Sequence, residues 1–456
     1  MTCRKKFNIH SPSLTIGTLK EKGGEKMGEK LAILGGKKTV TIREPSWPIV
    51  DIEMVYEIVR VLSQKDSEKI GLNLLSPLVT KGNIIGEVEE AWANYQNRKY
   101  AIATNSGTAA LHAAVSACGV GPGDEVIVSP YTWGTTVGVI LLNFAIPVFA
   151  DIDPRTYNLD PEKVAEKITP QTKAIMVVHI YGHPCDMDPI MKVAKENDLK
   201  VIEDCAQAHG ATYKSKKVGS LGHIAGFSFQ GSKNVPGGEG GILVTDDEEL
   251  YERALIIGQH PARILADVKN KELLKYNFAT SWSYRMHPLA AALTLVGLRH
   301  LDERNKIRAE NFEYLSAGLE EIAGVDPVYV APNCFHSYHM YSPTYLVEED
   351  VLSREKFIEA LRAEGVPITT YVKVPIHLSP TFLENYWLPF GKGFPWSCPL
   401  VKRKVTYRRG DCPVAEERSE KRELKIAGSP YCVPCKDLID QYLEAFRKVA
   451  KEYKLM

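Results

Sequence analysis

Three things are missing from this 456-residue chain. The first is a surplus of charge: Lys plus Arg and Asp plus Glu each total 56. That balance excludes a strongly basic surface, and with it nucleic acid or another polyanion as the main partner. The second is a long apolar run. The longest, Val137 to Ala150, is broken by Asn143 and Pro147 and is too short to span a bilayer. The first 30 residues are basic but hold no apolar stretch, so they do not read as a secretory signal. They are rich in Lys, Glu and Gly and are expected to form a mobile extension over 1–30, with Met27 as an alternative start. The third is a regular cysteine pattern. Nine cysteines, an odd number without even spacing, argue against a secreted disulfide scaffold. The one C-x-x-C, Cys432 to Cys435, lacks the second pair that zinc sites commonly use, so no metal is expected. A cytoplasmic protein with no membrane partner is the expectation.

What is present is a large α/β pattern. Hydrophobic residues make up 44% of the chain, enough for a substantial core. Short apolar runs end at Thr104, Val128, Asp151, Ile180 and Asp204, and helical stretches separate them. Such alternation implies right-handed crossovers and a mainly parallel sheet. The length suits a large domain over 31–300 and a smaller C-terminal α/β domain over 301–456. Leu289 to about Leu319 reads as one long helix bridging the two. Strands are expected at Tyr345–Val347 and Gly365–Tyr371, flanking a helix from Ser353 to Glu364.

The chemistry concentrates in Val201 to Asp247. An apolar run ends in Glu203-Asp204, and an acid at a strand end sits where α/β sheets bind ligands. Lys233 follows among small residues and glycines. A buried lysine with a lowered pKa is a nucleophilic amine. Pyridoxal phosphate (PLP) needs both parts: a lysine for its aldehyde and an acid opposite its ring nitrogen. Taken alone, Lys233 also fits a solvated loop and Asp204 a helix cap. Ser106-Gly107-Thr108 reads as a phosphate cradle at a helix N-terminus, or as an ordinary cap. Trp133, just past a strand end, suits stacking on a flat ring or plain packing.

Three ungapped blocks narrow these readings. They are Glu203-Asp204-Cys205-Ala206-Gln207-Ala208-His209-Gly210, then Phe227 to Lys233, then Gly238-Glu239-Gly240-Gly241. Their order and wording resemble the active-site segment of the DegT/DnrJ/StrS family of PLP-dependent sugar and cyclitol aminotransferases. The resemblance implies a fold-type I PLP-dependent transferase, working as a homodimer with shared active sites. It gives Lys233 and Asp204 catalytic roles. It places Gly107, Thr108 and Ser228 at the cofactor phosphate, Trp133 on the ring face and Gln207 beside the ring hydroxyl. The family's N-Y-R-M is Ser283-Tyr284-Arg285-Met286 here, so Ser283 stands where an Asn would reach the partner's cofactor phosphate. An Asn occurs upstream, at Asn277. Tyr371 and His377 lie in a loop like the family's substrate loop.

The implied reaction is ping-pong transfer of an amino group. The donor is glutamate or glutamine, and the acceptor is a nucleotide-linked keto-sugar or an inosose-type keto-cyclitol. Lys233 argues against the branch that carries histidine there and removes a hydroxyl. Two alternatives remain: a non-catalytic PLP- or sugar-sensing regulatory protein, and another fold-type I PLP enzyme such as a desulfurase.

Overall fold

The computed structural model describes residues 30–63, 78–277 and 282–455. The extension expected over 1–30 therefore falls almost wholly outside the described residues.

Seven strands build the central sheet: β1 (Tyr100–Thr104), β2 (Glu125–Val128), β3 (Ile146–Phe149), β4 (Thr172–Val178), β5 (Lys200–Asp204), β6 (Ile224–Ser228) and β7 (Gly241–Thr245). Their order is β1-β7-β6-β5-β4-β2-β3. The run from β3 through β6 pairs in parallel; β7 runs antiparallel to both its neighbours. Nearly every strand residue is buried, because helices cover both faces. This is why the strands read as continuous apolar runs rather than alternating ones.

Helix α1 (Ile52–Leu62) and α2 (Ile84–Gln96) come before the sheet, and α3 (Gly107–Ala117) and α4 (Gly134–Leu142) lie within it. On one face, Trp92 of α2 is fully buried and meets Phe227 and Phe229 edge-on, at ring separations of 5.2 and 4.8 Å. On the other, α3 and α4 pack Leu111, Val115, Val137 and Ile140 over Val126 and Ile202.

The expected bridging helix is two helices, α5 (Pro288–Arg299) and α6 (Leu301–Leu319). His300 leaves the helical region, at φ −99 and ψ 1, and its ring reaches Glu53 at 2.7 Å. A second core forms around Phe312, Tyr341, Phe357 and Phe446, from α6, α7 (Arg354–Glu364) and α8 (Lys436–Glu452). Leu31 and Val40 join this core, although the sequence groups them with the large domain. The reason is Glu364. Its buried carboxylate accepts from Ala32 N, Thr39 N, Thr39 Oγ1 and Lys448 Nζ at 2.6–3.0 Å.

The strand expected over Gly365–Tyr371 is absent, apart from a single bridge between Thr369 and Lys425. Pro367 has no N–H to offer a ladder. The N–H groups of Tyr371 and Val372 turn instead to a carboxylate, that of Glu423.

Candidate active site

A cavity of about 400 Å³ opens at the carboxyl ends of the parallel strands. Each strand end delivers one piece of it. The loop after β1 gives Ser106, Gly107 and Thr108. The loop after β2 gives Thr132 and Trp133. The end of β5 gives Asp204 and then Gln207. The end of β6 gives Ser228, and Lys233 follows before β7.

One end is built for an anion. Ser106 caps α3 by accepting from Ala109 N at 3.1 Å. The first N–H groups of a helix have no acceptor within it, and they carry the positive end of its dipole. Gly107 is required here, because a Cβ on it would stand 2.6 Å from Cβ of Ser228. Ser228 Oγ accepts from Gln230 N at 3.4 Å, leaving its own hydrogen free to donate.

Asp204 and Lys233 supply the opposite character. Asp204 is 4% exposed, and burial raises its pKa. The Thr136 hydroxyl, donating to Oδ2 at 2.7 Å, and Ala206 N, donating to Oδ1 at 3.0 Å, pull it back. Burial pushes the Lys233 amine down to about 8, with Asp204 opposing the shift. Its backbone is fixed by a tight turn: Lys233 N donates to Gln230 O at 2.8 Å, and Ser232 N donates to Gln230 Oε1 at 2.8 Å.

The facing wall comes from the C-terminal part of the chain. Tyr371 stacks on Trp133, with ring centroids 6.1 Å apart and planes 23° apart. Gln207 bridges two elements: its Oε1 accepts from Tyr181 N at 2.8 Å, and its Nε2 donates to Tyr371 Oη at 2.9 Å.

Eight of the ten residues singled out from sequence line this cavity: Gly107, Thr108, Trp133, Asp204, Gln207, Ser228, Lys233 and Tyr371. Two do not. His377 is fully buried, and its Nε2 meets Glu416 Oε1 at 3.0 Å. Its ring packs near Phe149, 5.9 Å away. Ser283 is exposed, and its carbonyl accepts from Asn105 Nδ2 at 3.1 Å, beside the turn that leads into α3. Asn277, the upstream alternative, is buried.

Sequence reading missed Thr136, which is one turn into α4 and looks like an ordinary helix residue. It also missed His339 and Met340, which reach the cavity from the C-terminal part of the chain. Glu203, next to Asp204, faces the other way. Its oxygens accept from Gly219 N, Leu221 N and Gly222 N at 2.5–2.8 Å, and one meets His179 Nε2 at 3.0 Å. With its acceptor positions taken, the buried group formed by His179, Glu203 and Cys205 is structural.

The donor set fits PLP. A phosphate needs N–H and O–H donors, an aldehyde needs an unprotonated amine, and a protonated ring nitrogen needs a carboxylate. The cavity offers each of these once.

Comparison with known proteins agrees. The model of the DegT/DnrJ/EryC1/StrS aminotransferase family matches residues 63–392. A GDP-perosamine synthase of Caulobacter vibrioides is 40% identical over 306 residues, covering 66% of this chain and 79% of that protein. A Micromonospora echinospora protein named for L-glutamine:3-amino-2,3-dideoxy-scyllo-inosose aminotransferase activity is 35% identical over 346 residues, 75% of this chain and 79% of that one. Among solved structures, an aminotransferase from Psychrobacter cryohalolentis superimposes with a TM-score of 0.76 at 28% identity. It covers 90% of this chain and 100% of that one.

Proposed function

The chain belongs to the DegT/DnrJ/EryC1/StrS aminotransferase family and is a PLP-dependent aminotransferase; from that premise we propose that it carries an amino group from glutamate or glutamine to a keto-sugar or keto-cyclitol. The observation that carries this reading is the convergence of Lys233, Asp204 and the α3 N-terminus on one cavity.

In this reading Gly107, Thr108 and Ser228 hold the cofactor phosphate, Trp133 covers the ring and Gln207 stands beside its hydroxyl. When bound, PLP supplies an electron sink for the Cα of the amino donor. Asp204 is the carboxylate that keeps the ring nitrogen protonated. Lys233 Nζ would carry the proton from the donor's Cα to the cofactor's aldehyde carbon. Burial brings the amine down to about 8, close enough to neutral pH for its unprotonated form to be populated far more than an exposed lysine's. The tight turn at Gln230 keeps the amine in place, and Trp133 with Tyr371 limits the entry of water.

The acceptor is a nucleotide-linked keto-sugar or an inosose-type keto-cyclitol. The perosamine synthase relative supports the first and the Micromonospora relative the second. Tyr371, at the rim and bonded through its hydroxyl to Gln207, is the acceptor-side contact.

We place the working unit in a homodimer. Ile52, Val55, Tyr56, Val59 and Leu62 form an exposed apolar stripe along α1, at helical spacing. A second copy would cover it, and Ser283 would face the partner's phosphate site. The chain divides, in this reading, into the large unit at 31–300 and the small unit at 301–456, with the first segment of the former clasped to the latter.

The test is a two-step assay of the purified protein. Glutamate or glutamine should convert the bound cofactor in a first half-reaction. A panel of keto-sugar nucleotides and keto-cyclitols should then restore it. Donor conversion followed by turnover with one acceptor class supports the reading. Turnover with simple 2-oxo acids alone would overturn it.

A further inference from the structure

Glu423 lies outside every motif discussed above, yet it joins the C-terminal core to the cavity wall. Its side chain is fully buried. Oε1 accepts from the Tyr181 hydroxyl at 2.6 Å and from Tyr371 N at 2.8 Å. Oε2 accepts from Val372 N at 3.1 Å. Tyr181 in turn meets the Tyr131 hydroxyl at 2.5 Å. The carboxylate thus holds two successive backbone N–H groups of a loop with no strand ladder to hold it.

We propose that Glu423 is a positioning residue: its ionised carboxylate clasps the backbone at Tyr371 and Val372 and so fixes the Tyr371 ring and hydroxyl over the cavity. The inference rests on the reading of Tyr371 as an acceptor-side contact.

The clasp depends on charge because every group that reaches the carboxylate donates to it. Tyr131 and Tyr181 keep their hydrogens, since burial pushes both well above the usual phenol range. Tyr157 and Tyr371 are raised in the same way. Arg354 faces it from α7 and donates to its backbone carbonyl; Lys425 follows it in its own segment. Burial holds Glu423 up at about 7, against the pull of the Tyr181 hydroxyl and Tyr371 N. A proton taken up there sets hydrogen against hydrogen at the loop. The clasp is therefore fully formed well above about pH 7 and weakens as pH falls through that value.

Hydrogen exchange of the peptide spanning 369–374 tests this without any turnover. Glu423→Gln keeps the shape but faces one N–H with an amide NH₂. At pH 8 it should speed exchange at Tyr371 and Val372 by about tenfold, as expected for losing one hydrogen bond to a charged group. Wild-type protein at pH 6, corrected for the intrinsic rate, should approach the same value. The acceptor KM should rise about tenfold in step, with kcat little changed. Unchanged exchange in the variant overturns the proposal. If Glu423→Gln does not fold, Tyr181→Phe serves: loss of one donor should move the exchange midpoint up by roughly one pH unit, and an unmoved midpoint overturns the proposal. Exchange that responds while Tyr371→Phe leaves the acceptor KM unchanged upholds the clasp and removes only the substrate reading of Tyr371.

Discussion

The two walls of the cavity are built differently. The sheet-side wall consists of groups placed at strand ends: Gly107 after β1, Trp133 after β2, Asp204 ending β5 and Ser228 ending β6. Asp204 and Ser228 are fixed by the backbone ladders of the sheet, and Gly107 and Trp133 by the helix starts they form. The C-terminal wall holds Tyr371 and His339, which belong to no regular strand of the sheet. Tyr371 is held by long-range side-chain contacts from Gln207 and Glu423. The rigid wall suits chemistry that does not vary, and the hung wall suits a substrate that does.

Four substitutions can break or sharpen that contrast. Lys233→Ala should lower turnover by at least about a thousandfold, with no loss of thermal stability. A variant that melts early and keeps its activity would reverse the assignment. Asp204→Asn should cost about a hundredfold in turnover, as for one electrostatic partner of a reacting group. Its KM for the acceptor should hold, which a steady-state assay can check. On the other wall, Tyr371→Phe should raise the acceptor KM by about tenfold and leave conversion by the donor intact. An equal loss with both substrates would mean that the two walls are not separate in function. His377→Asn should do least to catalysis, because its ring is spent on Glu416. It should leave KM within about twofold and lower the melting temperature modestly, at roughly 1 kcal/mol for one lost hydrogen bond, because Gly410 N still donates to the Glu416 carboxylate.

The contrast also governs how much could be read in advance. On the sheet wall Asp204 and Ser228 were legible because they lie in contiguous blocks, Glu203 to Gly210 and Phe227 to Lys233, and Gly107 and Trp133 because each follows a strand end that an apolar run announces. The parallel sheet was legible for the same reason. Thr136 was not, since its contact with Asp204 joins residues 68 apart. Glu423 was still less so. In Arg422-Glu423-Leu424 it reads as a surface acid, and only packing places Tyr181, 242 residues earlier, against it. His377 misled in the opposite sense: a motif brings it near the loop, but its rotamer and burial turn it to Glu416. The single helix expected over Leu289–Leu319 broke at His300 through a side-chain contact to Glu53 that no periodicity records.

The lowered pKa of Lys233 gives a pH dependence with a definite sign. Only the unprotonated amine can capture an aldehyde, so the rate of PLP capture by cofactor-free protein should fall as pH drops through about 8. An ordinary exposed lysine would put that fall more than two units higher.

The most direct measurement is the absorbance spectrum of the purified protein with PLP, before and after glutamate or glutamine. A visible band should form, be absent from Lys233→Ala, and bleach with one of the two donors. A spectrum equal to free PLP, or a band that persists unchanged in Lys233→Ala, would contradict the assignment of Lys233 and the site built around it.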